Sequence, residues 1–227
     1  MVEKFGFKQA LDEVSASSAG GAPFLICYGI TFLITGILSF FLPWETVALI
    51  AMFQGGAALP AAFWLERRMG SRRMSADNPL RQLSVQLAMS QSLALPLLIL
   101  VYSLNPRGIP LALAALGGVH FFPYAWLHRT RLYIILGSVL TLGAFAIQIV
   151  LAKAAFPYIL FFVALVYGVA APLVYRHARR MVGAAGCGGA ASPSFFKGPF
   201  QPHPHPSGAP GGWPRPHLWA GKFAENR

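Results

Sequence analysis

Carboxylates are scarce in this chain. Seven Asp and Glu stand among 227 residues, and inside the long apolar runs there are none, with Glu45 and Glu66 only at the margins. That removes the paired carboxylates of an intramembrane aspartic protease and the acidic relay of many proton-coupled transporters. Cysteine is scarcer still. Cys27, in an apolar run, and Cys187, near the C-terminus, have no metal-ligand spacing and form no disulfide framework. Nor is there a zinc-protease His-Glu pair, a Walker loop or a nucleophile elbow, and the Gly-rich run from Gly183 to Gly189 neither follows a strand nor opens a helix. These absences argue against an ordinary hydrolase or ATPase and imply no metal or cofactor. Charge in general is thin: 11% of the residues, where a soluble domain carries about a quarter.

What is there is apolar. Hydrophobic residues make up 56% of the chain, and the formal net charge of +11 is distributed in a telling way. The basic residues stand at the ends of apolar runs and not along one amphipathic face. That is the placement of membrane topology signals and excludes nucleic acid as the partner.

Read in order, residues 1–21 place Phe7, Leu11 and Val14 on one helical face, followed by Ser and Gly; this predicts an amphipathic segment at the membrane interface and a flexible hinge. The first apolar run starts late, is long enough to span and lacks a cleavage site, so it reads as a retained helix and not as a signal peptide. Residues 22–181 then predict an all-α membrane domain of six transmembrane helices, at about 22–42, 46–65, 82–104, 109–127, 132–151 and 158–175, arranged as three hairpins that turn near Pro43, Pro106 and Pro157. Asp77-Asn78-Pro79-Leu80 reads as the start of the third, with Asp77 or Asn78 as cap and Pro79 in its first turn. Faint echoes link Gly56, Pro60, Trp64 and Arg67 with Gly118, Pro123, Trp126 and Arg129, and with Gly168, Pro172, Tyr175 and Arg176. Lys4, Lys8, Arg67, Arg68, Arg72, Arg73, Arg81, Arg129, Arg131, Arg176, Arg179 and Arg180 fall on one side of these helices, against Arg107 and Lys153 on the other. The positive-inside rule then puts both termini in the cytoplasm. Residues 182–227, rich in Gly, Pro and His, read as a disordered tail.

One level of the membrane domain is polar. His120 lies nine residues from Arg129, which at about 1.5 Å per residue is near the midplane. Gln91, Tyr167, Thr31 and Thr141 come out at similar depths, and Tyr124 shares a helical face with His120. An ionisable group held at that depth is a functional-site hypothesis in its own right. His120, Gln91, Tyr124 and Tyr167 are therefore the candidate contacts for a small solute. Trp64, Trp126 and His128 read as interface anchors, and Arg67, Arg68, Arg72 and Arg73 as topology signals that also attract anionic lipid.

Asp77-Asn78-Pro79-Leu80, Gln91, the run from Gly118 to Leu127, and Tyr133 together resemble an uncharacterised bacterial family of small multi-helix membrane proteins, domain of unknown function 7010. The resemblance covers roughly residues 1–180 and stops before the tail. It implies a multi-pass protein of the bacterial cytoplasmic (inner) membrane and supplies no activity. Three functions stay open: binding or transport of a small solute around His120; a structural or regulatory role through the basic cytoplasmic face; and, weakest without a helix carboxylate, an enzyme using His120 as base. Membrane lipids are the expected surroundings, and Gly55, Gly56, Gly117 and Gly118 permit close helix contacts within one chain or in a homo-oligomer.

Overall fold

A computed structural model describes residues 6–69 and 74–186, and every described element is helical. Arg72, Arg73 and the tail from residue 187 lie outside the described residues. Nine α-helices occur among them: α1 (Phe7–Ser17), α2 (Ala22–Leu38), α3 (Trp44–Phe53), α4 (Gly55–Met69), α5 (Arg81–Ser90), α6 (Leu95–Leu104), α7 (Ile109–Leu127), α8 (Leu132–Leu151) and α9 (Ala155–Gly186).

Among the described residues, five stretches are long and apolar enough to cross a bilayer: Ala19–Leu38, Trp44–Met69, Arg81–Leu104, Pro106–Leu127 and Leu132–Met181. The fifth contains two helices, α8 and α9, which pack on each other across the turn Ala152–Ala154, where Ala152 takes φ 46°. α2 lies along α9, and α7 along α8. Ile109, Leu140, Ile159, Leu160 and Val163 fill the centre. Outside, Phe41, Leu104 and Val150 are more than three-quarters exposed. Such a surface is stable only against lipid or another apolar partner. Against the expectation from their clustering, the arginines at 176, 179 and 180 do not stop the last helix; α9 continues to Gly186, into the first residues of the expected tail.

α1 is amphipathic, as its spacing predicts, but its stripe is turned into protein. Ala10, Leu11 and Val14 are buried with Leu80 and Leu127. The reason is a polar clasp. Glu13 accepts from the Ser75 backbone N–H at 2.8 Å and from Asn78 Nδ2 at 2.6 Å. Asn78 Nδ2 also donates to the Ala10 carbonyl at 3.1 Å, and its Oδ1 accepts from the Leu80 N–H at 2.9 Å. The flexible hinge expected after α1 is a buried 3₁₀ turn, Ala19–Gly21. Gly20 and Gly21 take φ 65° and 80°, and the Tyr133 hydroxyl donates to the Gly20 carbonyl. A side chain at Gly20 would press on the Val174 carbonyl, so glycine is required there twice over.

Asn78→Ala should cost about 2 kcal/mol, since it removes the donor to Glu13 and to Ala10 and the acceptor for Leu80. The expected readout is a lower melting temperature in detergent with faster limited proteolysis inside α1. An unchanged cleavage rate would mean that the apolar stripe alone holds α1.

Candidate functional site

Two of the apolar stretches are broken halfway. The single helices expected over 46–65 and 82–104 are each two helices, and the cause is local. In the first, Gly55 and Gly56 are weak helix formers and Pro60 offers no N–H to the Gly56 carbonyl; the Ala57 and Ala58 N–H groups both turn back to the Gln54 carbonyl, at 3.1 and 2.9 Å. In the second, Pro96 cannot donate to the Ser92 carbonyl and its ring crowds it, so residues Gln91–Ala94 tighten into a 3₁₀ turn before α6. Broken helices at membrane depth are tolerated where the backbone lines a cavity.

A cavity of about 1170 Å³ opens at these breaks. Gln54 and Gln91 border it from the two breaks, Tyr28 from α2, His120 and Tyr124 from α7, and Tyr167 from α9. Phe24, Leu25, Phe32, Leu95 and Leu98 supply apolar wall, and Glu66, Arg67, Arg81 and His128 border it as well. The four contacts expected from sequence, His120, Gln91, Tyr124 and Tyr167, thus border one space. Arg67 borders it too; Arg68 does not, its guanidinium lying 5.2 Å from the Trp64 ring centre. Thr31 and Thr141 are not on its wall. Thr31 donates to its own helix at the Tyr28 carbonyl, at 2.9 Å, and Thr141 packs where α8 meets Gly118.

Sequence reasoning missed Gln54, Tyr28, Glu66 and the role of His128. Gln54 was legible as a lone amide before two glycines in an apolar run. It is buried, and its Oε1 has no hydrogen-bond donor among the described residues. His128, read from the sequence as an interface anchor, is 3% exposed, whereas Trp64 and Trp126 are 60% and 49% exposed. The correction follows from α1: Ser15 of that helix meets His128 Nδ1 at 3.0 Å and covers it.

His120, Tyr124 and His128 follow one another at i, i+4 and i+8 along α7. Their rings form a ladder, with centroids 5.1 Å apart for the first pair and 5.9 Å for the second; Tyr133 from α8 stacks on His128 at 5.3 Å. Burial pushes the His128 imidazole down to about 4, helped by neighbouring His177, so it is neutral at physiological pH. His177 Nε2 is itself buried without a hydrogen-bond partner among the described residues, and Arg129 Nη1 lies 3.7 Å from Asp12 Oδ1 beside this group. No three His, Cys, Asp or Glu side chains gather closely enough among the described residues to hold a metal ion. Among the described residues the site offers neutral donors and acceptors, aromatic surface, and charged groups at Glu66, Arg67 and Arg81.

Apolar stretches of spanning length, a lipid-compatible exterior and a partly polar interior cavity define a multi-pass membrane protein. Residues 7–177, from the first residue of α1 to within α9, match the model of the family of unknown function DUF7010, and the chain belongs to that family. No curated protein and no solved structure matches it.

Proposed function

We propose that this protein, in the cytoplasmic membrane of a bacterium with both termini inside, binds a small solute in the cavity around His120 and carries it across the bilayer. The observation that supports this is convergence. His120 and Tyr124, Gln91 and Tyr167 come from three different apolar stretches and border the same cavity, at points where two helices are interrupted. Interrupted helices free backbone groups for a ligand at mid-bilayer, the arrangement that many transporters use. α8 and α9 cross separately in this reading, which makes six crossings.

The test is thiol accessibility in membranes. With Cys27 and Cys187 replaced by Ser, single cysteines at positions 91, 120 and 167 should react with a small water-soluble thiol reagent, while cysteines at outward-facing Ile135 and Leu142 stay silent. Silence at all three inner positions would mean a dry, packed interior and would end this reading.

A second reading rests on the basic face, where Arg68 covers Trp64 and Arg179 lies over Tyr175. There the protein is a structural or regulatory component that meets anionic lipid or a partner subunit. Copurification of one partner, lost when Arg67, Arg68, Arg72 and Arg73 become Gln, would favour it.

A further inference from the structure

The cavity has more room than a small polar solute would fill, and its charge is confined to one end. Ligand pockets for drug-sized molecules run to about 300–1,000 Å³; this one is about 1170 Å³ and largely apolar along its walls. Apart from the two histidines, the charged side chains that border it among the described residues are Glu66 and Arg67, near the end of α4, and Arg81, which opens α5. Two guanidiniums against one carboxylate leave that end positive.

α4 packs on α2, and α5 and α6 pack on α7; among the described residues no extended interface joins α4 to α5. Phe63 of α4 and Val85 and Met89 of α5 border the cavity and are 45%, 57% and 58% exposed. All three lie within apolar stretches of spanning length, where a gap suits an apolar occupant better than water.

Resting on the cavity reading above, we propose that the ligand is a membrane-resident anionic amphiphile. It enters sideways between α4 and α5, holds its headgroup between Arg67 and Arg81, and lays its apolar chain inward past Phe24, Leu25 and Leu98 towards Gln54 and Gln91. A deeper headgroup would have no counter-charge, and an aqueous anion would leave the apolar wall uncovered.

The probe is cis-parinaric acid, a fluorescent fatty acid, titrated into the full-length protein in neutral detergent, with its methyl ester as the uncharged control. Saturable binding of the acid is expected, displaced by oleic acid and not by oleyl alcohol or inorganic phosphate. The double variant Arg67→Gln, Arg81→Gln should weaken it roughly thirtyfold, the combined attraction of two interfacial arginines. Arg107→Gln should leave it unchanged, because Arg107 stacks on Trp44 away from the cavity. Gly56→Leu should block binding in a protein that still folds. Gly56 borders the cavity, and a Cβ there meets nothing within 4 Å.

Equal affinity for acid and ester, tighter binding of a long-chain alkylammonium, competition by inorganic phosphate, or full binding in Gly56→Leu would each overturn the proposal. If the cysteines at 91, 120 and 167 react but the acid does not bind, this ligand class is wrong and the cavity reading stands. If those cysteines are silent, both fall together.

Discussion

Acidification from neutrality to about pH 5 should cost the folded protein about 2 kcal/mol, rising to roughly 3 kcal/mol near pH 4, through His128 alone. The imidazole is depressed from 6.5 to about 4 in the folded state, burial being the larger cause and His177 the smaller. The unfolded chain therefore takes up a proton that the folded one refuses. Stability conferred by the neutral ring is fully present above about 6.5 and is lost as pH falls through the window between the two values. The ring's neighbours are placed to matter: Ser15 from α1 bonds it, Tyr124 from α7 and Tyr133 from α8 stack on it, and His177 of α9 is close by, its Nε2 without a hydrogen-bond partner among the described residues.

Equilibrium unfolding in mixed detergent at several pH values measures the slope. His128→Asn keeps a side chain able to bond Ser15 and cannot titrate, so its stability should be nearly flat across the same range. An identical slope in the variant would assign the effect to another group. Release of α1 should accompany the loss, since the ring that titrates is the one its Ser15 holds.

Gly118→Ala should be at least as damaging, at about 3 kcal/mol, although it adds one methyl group. α7 and α8 cross with backbone against backbone: a Cβ at Gly118 would stand 2.7 Å from the Gly137 carbonyl oxygen and would collide with the Thr141 hydroxyl. The hydroxyl can rotate away, but the carbonyl cannot, so the two helices must part. Gly56→Ala is the contrast. With open space around it, alanine there should be neutral or stabilise by up to about 1 kcal/mol through helix propensity. Melting temperatures of the two variants in one detergent decide the matter, and equal values would refute the close crossing.

Those two glycines show what could be read from the chain and what could not. Both stand in apolar runs and are alike in sequence, as small residues suited to helix contacts. Only the position of α8 distinguishes a glycine that another backbone needs from one that merely borders a space. The same holds for histidines. His120 and His128 sit on one helix, and counting from Arg129 singles out His120, which borders the cavity; His128 reads as an anchor because it lies next to the basic end. Its burial depends on α1, far away in sequence, returning to cover it. The breaks at Gln54 and Gln91 had local causes in Gly55, Gly56 and Pro96, yet apolarity over those stretches is continuous. A hydropathy pattern records transfer energy and not the path of the backbone hydrogen bonds.

By itself, the sequence determined the class of this protein. Long apolar runs without interior carboxylates have few stable states other than helices in lipid, because each backbone group must be bonded within its own segment. It also determined which residues within the apolar runs could make hydrogen bonds. The tertiary structure alone decided that His120, Gln91, Tyr124 and Tyr167 border one cavity, that Gln54 and Glu66 join them, that Thr31 and Thr141 do not, and that α1 is clasped by Asn78 and His128. Depth along a helix follows from counting residues. Direction around it and the identity of the neighbour follow from how separate helices pack, which local spacing does not encode.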